Sequence, residues 1–170
     1  KLPTRVSRGV ANLDAYIQGD CEVFIEAKCR EIYIDESAYQ KVYDWIGIEL
    51  LPDFRWKGDY IRHFDIKQLI CHFLGISAYI LESGEKHNIK FVYLICNPSD
   101  VVKEDNAEGT KILKQHQATL DEIVPSDMEK LFADIFEFQK TNSTVRKKSG
   151  DYDHFEFVVA DQSTIEKHLK

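Results

Sequence analysis

The segment IKFVYLICNP, residues 89–98, is apolar at almost every position. Alternating apolar and polar side chains mark a strand with one wet face, whereas a short continuous apolar run marks a strand covered on both faces. A strand of that kind needs a layer on each side of its sheet, which directs the chain toward an α/β fold. The neighbouring segments supply the layers. FDIKQLICHFLGISAYILESG (64–84) is the strongest helix: Asp65 suits its N-cap, Gly84 stops it, and Ile66, Leu69, Ile70, Phe73, Leu74 and Ile76 give it a broad apolar face.

Two further β-rich runs, ANLDAYIQ (11–18) and CEVFIEAKC (21–29), flank Gly19-Asp20, a hairpin signal. In the second run Val23, Ile25, Ala27 and Cys29 share one face and Glu22, Phe24, Glu26 and Lys28 the other, so one face is clean core and the other half polar. Residues 35–50 read as a helix with Tyr39, Val42, Tyr43 and Ile46 as its stripe, and 51–64 as a surface loop. After the polar stretch 99–109, a helix is expected from Thr110 to about Ile123 and another after Ser126, with Met128, Leu131, Phe132, Ile135 and Phe136 at helical spacing. Residues 140–153 read as a mobile polar loop, HFEFVVA (154–160) as a strand, and a last helix as starting near Asp161 or Ser163. The expected architecture is one domain over 1–170: a mixed central β-sheet flanked by helices, its core over 10–98 and its C-terminal helices and strand over 110–170.

Composition narrows the function classes. At 170 residues the chain can bury a substantial core. No apolar run reaches the length of a membrane span, and KLPTRVSRGV does not read as a signal peptide, so no membrane partner is expected. Cys21, Cys29, Cys71 and Cys96 form no CxxC pair, which argues against a zinc knuckle or a disulfide framework and points to a reducing cytoplasm. A net charge of −7 argues against a surface that is one large nucleic-acid footprint, though a groove needs only local basicity.

Asp14, Glu26 and Lys28 are the residues with the most chemical potential. Two carboxylates converging from adjacent strands make a hard oxygen site for Mg2+ or Mn2+. Such an ion lowers the pKa of bound water and neutralises charge developing on a phosphate. A lysine two residues beyond an acid on a strand points to the same face, where it can orient water or stabilise the transition state. A bland alternative stands beside this: Glu26 and Lys28 as an ion pair on a solvated strand face, worth little. Asp20 or Glu22 could also replace Asp14 as the first carboxylate. A second acid–x–Lys triplet, DIK (65–67), is explained by helix capping.

The pattern LDAYI followed by FIEAK resembles the PD-(D/E)XK nuclease superfamily, the restriction-endonuclease-like fold, and within it a bacterial restriction-like branch. The resemblance covers residues 10–98 and implies a metal-dependent nuclease acting on phosphodiesters, most directly those of DNA. It places Asp14, Glu26 and the backbone carbonyl of Ala27 on Mg2+ or Mn2+, and makes Asp14, Glu26, Lys28 and Gln68 catalytic, with Gln68 on the following helix reaching the lysine or the water. It also implies an alternative, the same fold idle as a nucleic-acid or protein-binding module. Such folds frequently pair to cut two strands, which leaves a homodimer open. The residue before Asp14 is Leu13 rather than proline, and the sequence opens on Lys1 rather than Met. The helix that carries a further acid in many members would therefore fall upstream of the residues in hand.

Other residues have ordinary explanations beside functional ones. Gln68 could be an exposed helical glutamine, and His72 reads as a satisfied, partly buried histidine. His63 and Glu31 read as solvated. Arg5, Arg8, Arg55, Lys57, Arg62 and Lys67 could line a phosphate groove with Trp56 stacking on a base, and VRKKSG (145–150) could touch DNA, but each alone fits a surface loop. Phe132, Phe136 and Phe138 read as core or as a dimer face.

Overall fold

In the computed structural model, which describes residues 13–28, 66–96, 107–142, 148–161 and 164, the apolar run belongs to an inner strand of a four-stranded sheet. The strands are β1 (Ala15–Ile17), β2 (Glu22–Lys28), β3 (Lys86–Ile95) and β4 (Asp151–Ala160), in spatial order β1-β2-β3-β4. The helices are α1 (Ile66–Ser83), α2 (Ala107–Glu122) and α3 (Pro125–Asn142). β1 and β2 form the antiparallel hairpin expected around Gly19-Asp20, while β2–β3 and β3–β4 are parallel. This is a mixed α/β domain. Among the described residues no helix is long and apolar enough to cross a membrane.

The register sorts side chains onto two faces. Phe24 lies opposite Phe91, which lies opposite Phe157, and these residues join α1 and α3 in the larger core. Phe73 of α1 sits at its centre, edge-on to Phe91, Phe132 and Phe155 at ring separations of 5.5 Å, the T-shaped geometry that ring quadrupoles favour. Val23, Ile25, Val92, Val158 and Ala160 form a smaller cluster on the other face. The half-polar face of β2 is thus the one turned toward the principal core, and the clean apolar face serves the minor one. Phe132 and Phe136 are core residues rather than a dimer face.

Boundaries moved where polar residues disguise a strand. β3 starts at Lys86 and β4 at Asp151, because Lys86 pairs with Asp151 and the ladder runs on from there through polar positions. β1 is three residues long, shorter than the run 11–18, and α3 continues to Asn142 into the stretch read as loop. Gly84 ends α1 with φ +78°, the left-handed C-terminal geometry that favours glycine. Gly150 permits the entry to β4 to cross α1 at close range, since a Cβ there would lie 1.8 Å from the Ile80 carbonyl oxygen. At the C-terminal side Asp161 Oδ1 accepts the Thr164 N–H at 2.9 Å, while the last helix expected from Asp161 or Ser163 lies outside the described residues. The helix at 35–50, the loop at 51–64, Asp65, His63, Glu31, the basic candidates from Arg5 to Arg62, the Lys67 side chain and residues 145–147 lie outside the described residues.

Candidate active site

Glu26 and Lys28 project from the C-terminal half of β2 toward the N-terminal end of α1. Both are buried, at 3% and 5% exposure, so the solvated ion pair is not what forms. Lys28 Nζ lies 2.9 Å from Glu26 Oε1. Gln68, in the first turn of α1, bridges the pair: its Nε2 donates to Glu26 Oε1 at 2.6 Å and its Oε1 accepts from Lys28 Nζ. The glutamine is therefore engaged by both charged groups and is not a solvent-facing one. The far side of the lysine is fixed through its backbone, whose carbonyl accepts the Cys96 N–H at 2.9 Å and prolongs the β2–β3 ladder past Ile95.

Asp14 joins through the main chain. Its N–H donates to the Ile25 carbonyl at 3.1 Å, and its exposed carboxylate accepts the Ala27 N–H at 2.7 Å. The N–H and carbonyl of one strand residue point to the same side. The Ala27 carbonyl therefore faces the same edge of β2 as the Asp14 carboxylate, beside the point where Glu26 leaves the strand.

His72, one turn beyond Gln68 on α1, is 1% exposed, and its Nε2 stands 3.0 Å from Glu26 Oε2. The approach is close but lacks hydrogen-bond alignment, so Glu26 Oε2 and both imidazole nitrogens are buried without a hydrogen bond. A satisfied, partly buried histidine was expected here; the structure buries it fully and gives it the Glu26 carboxylate as a partner at 3.0 Å, without an aligned hydrogen bond. Burial pushes the Glu26 carboxyl up, but His72 and Lys28 outweigh it, and the pKa falls below the ordinary carboxylate value. The group is a carboxylate at neutral pH.

Glu22, the rival first carboxylate, is engaged elsewhere. At the start of β2, under the C-terminal end of α1, its Oε1 accepts from His87 Nδ1 and its Oε2 accepts from Tyr16 Oη at 2.6 Å. His87 Nε2 is 2.7 Å from Ser83 Oγ, which also accepts the Glu85 N–H at 3.0 Å. Burial raises the Glu22 carboxyl, but bonds from Tyr16, His87 and Tyr79 bring it below its usual value; burial and Glu22 push the Tyr16 phenol far up. None of the buried side-chain polar atoms of Glu22, His87, Ser83 or Tyr16 lacks a partner. Sequence reasoning missed this cluster because His87 and Glu22 are separated by 65 positions and meet only through the parallel register of β2 on β3.

The Ser83–His87–Glu22 order repeats the atoms of a hydrolytic triad. Yet Ser83 closes the C-terminal end of α1, where helix carbonyls oppose a developing oxyanion, and its Oγ also lies 2.8 Å from the Ile80 carbonyl oxygen. The cluster is a tie between α1, β3 and the hairpin.

Among the described residues no group of three or more His, Cys, Asp or Glu side chains is placed to hold a metal ion. The individual donor types nonetheless suit a hard divalent cation: the exposed Asp14 carboxylate and the Ala27 carbonyl share one edge of β2, and the buried Glu26 Oε2 faces His72 at 3.0 Å on the neighbouring residue. Comparison with protein-family models, curated proteins and solved structures produced no match.

Proposed function

We propose that this chain is a metal-dependent nuclease that hydrolyses phosphodiester bonds, DNA first among its substrates, on a restriction-endonuclease-like core. The observation that carries the proposal is the bridge of Gln68 between Glu26 and Lys28, two buried charges drawn from one strand and oriented by the next described helix. Replacing a buried ion pair by packed apolar residues is often neutral or stabilising, so the pair is poorly explained by stability alone. The antiparallel β1–β2 hairpin that brings Asp14 against Ala27 also agrees with the resemblance.

Asp14, Glu26 and the Ala27 carbonyl are the residues to hold Mg2+ or Mn2+. When bound, the ion supplies charge neutralisation and water activation at neutral pH. Lys28 holds its ammonium where charge accumulates as water oxygen bonds to phosphorus and the bond to the leaving oxygen breaks. Gln68 fixes the Lys28 rotamer through its carbonyl and Glu26 through its amide, so both groups are set before substrate arrives. The products are a phosphate monoester and a free hydroxyl, with the water protons shared between them and solvent. Cutting both strands of a duplex takes two such sites, and the proposal extends to a homodimer on that substrate.

The deciding experiment is cleavage of supercoiled plasmid, single-stranded DNA and RNA with Mn2+ or Mg2+, beside Lys28→Ala. Cleavage by wild type and its loss in the variant are expected. Cleavage that persists in both Lys28→Ala and Glu26→Ala would overturn the proposal. A binding module with an idle site has one observation in its favour: Glu26 Oε1 is already taken by Lys28 and Gln68. It predicts nucleic-acid or protein binding without cleavage of any of the three substrates.

A further inference from the structure

The Glu26 end of α1 contains an unexplained arrangement. His72 and Glu26 are 1% and 3% exposed, and His72 Nε2 faces Glu26 Oε2 at 3.0 Å. Neither atom has an aligned hydrogen bond, and neither does His72 Nδ1. Leaving buried polar groups unmatched costs about 1–3 kcal/mol each, and native interiors do so rarely. A carboxylate oxygen and an imidazole nitrogen that face each other at 3.0 Å out of hydrogen-bond alignment are, however, also placed as two neighbouring ligands of one cation would be. With metal–ligand bonds of about 2.1 Å, adjacent corners of an octahedron lie about 3.0 Å apart.

We propose that His72 Nε2 and Glu26 Oε2 form an imidazole–carboxylate edge that binds a transition-metal divalent cation in preference to Mg2+. The inference rests on the proposed metal at Glu26 and adds its chemical class. Mg2+ prefers oxygen ligands, keeps its waters and gains little from an imidazole. Later first-row divalent ions accept nitrogen readily, with affinity rising from Mn2+ to Co2+ at a given site. His72 is aimed by its own helix: four residues after Gln68, it follows the same face of α1 down onto β2, and Phe91 lies beside the ring at a centroid separation of 6.0 Å. With Nε2 on the ion, Nδ1 carries the ring proton. The pocket therefore has one nitrogen ligand that a site for Mg2+ alone would not need.

The test is titration of the full chain with Co2+, Mn2+ and Mg2+ by calorimetry, together with pulsed electron paramagnetic resonance of the Mn2+-loaded protein. The expected results are tighter Co2+ than Mg2+ binding and a directly bonded 14N coupling on Mn2+. His72→Asn should weaken Co2+ by at least about tenfold with little change for Mg2+, and Glu26→Gln should weaken all three ions. The spectroscopic arm uses wild-type protein, so it decides the matter even where the variant folds poorly. Metal binding that needs Glu26 but shows no 14N coupling would overturn the inference and leave the nuclease proposal standing. A 14N coupling in a protein that cleaves no nucleic acid would uphold the inference and sink the nuclease. No binding of any of the three ions would overturn it outright.

Discussion

Glu22 and Glu26 lie four positions apart on the same face of β2, one beneath each end of α1, and each stands beside a buried histidine. At the Glu22 end the carboxylate takes bonds from Tyr16 and His87, His87 passes its second nitrogen to Ser83, and none of the buried side-chain polar atoms of these four residues is left over. At the Glu26 end Lys28 and Gln68 satisfy one carboxylate oxygen, and the other meets a histidine at 3.0 Å out of hydrogen-bond alignment. The difference teaches how a closed structural tie and an open cluster can be told apart when both are built from the same residue types. A closed network has spent its bonding capacity on the fold, whereas an open one keeps capacity for something that arrives later.

Substitutions at the two ends should therefore fail in different assays. On the proposed nuclease reading, the largest expected effect is on chemistry: Lys28→Ala should lower the rate of phosphodiester cleavage by about 10²–10³-fold, the range seen when one transition-state contact is removed. Glu22→Gln, measured in the same plasmid assay, should keep its cleavage, and comparable losses in both variants would erase the distinction between the ends. Stability should show the reverse order. Glu22→Ala leaves His87 and Tyr16 buried without their acceptor and should cost about 3 kcal/mol in urea unfolding.

Acid should then act through the tie. Because the folded Glu22 carboxyl lies below its ordinary value of 4.5, its contribution is present above that pH and is lost as pH falls through the depressed folded value. Unfolding free energy followed below pH 4.5 should drop more steeply in wild type than in Glu22→Gln. The smallest effect is expected from Tyr16→Phe, which removes one donor to Glu22 from a strand open to water. About 1 kcal/mol is expected in the same urea titration.

Much of the frame is legible in the sequence alone. Continuous apolarity at 89–98, helical spacing with Gly84 as a stop, and the Gly19-Asp20 turn give β3, α1 and the β1–β2 hairpin, because each signal depends only on near neighbours in the chain. The strand i, i+2 rule placed Glu26 and Lys28 together, and helix spacing put Gln68 and His72 on one face. Burial of that polar face was not legible, since it depends on α1 landing on it across about forty positions. For the same reason the Glu26 partner of His72 was hidden: sequence spacing reports that the histidine faces inward, not what meets it there. The Glu22–His87 tie is set by the parallel register, which no local pattern encodes. The polar starts of β3 and β4 were hidden because ladder bonds, not side-chain polarity, define them.

The central claim is that the Glu26 end holds capacity for a cation and the Glu22 end does not. Its most direct test is the melting temperature of wild type, Glu26→Gln and Glu22→Gln across a Mn2+ titration, since an ion that binds only the folded state raises it by mass action. The prediction is an equal Mn2+-dependent rise in wild type and Glu22→Gln, from different starting points, and none in Glu26→Gln. The same rise in all three proteins would contradict it.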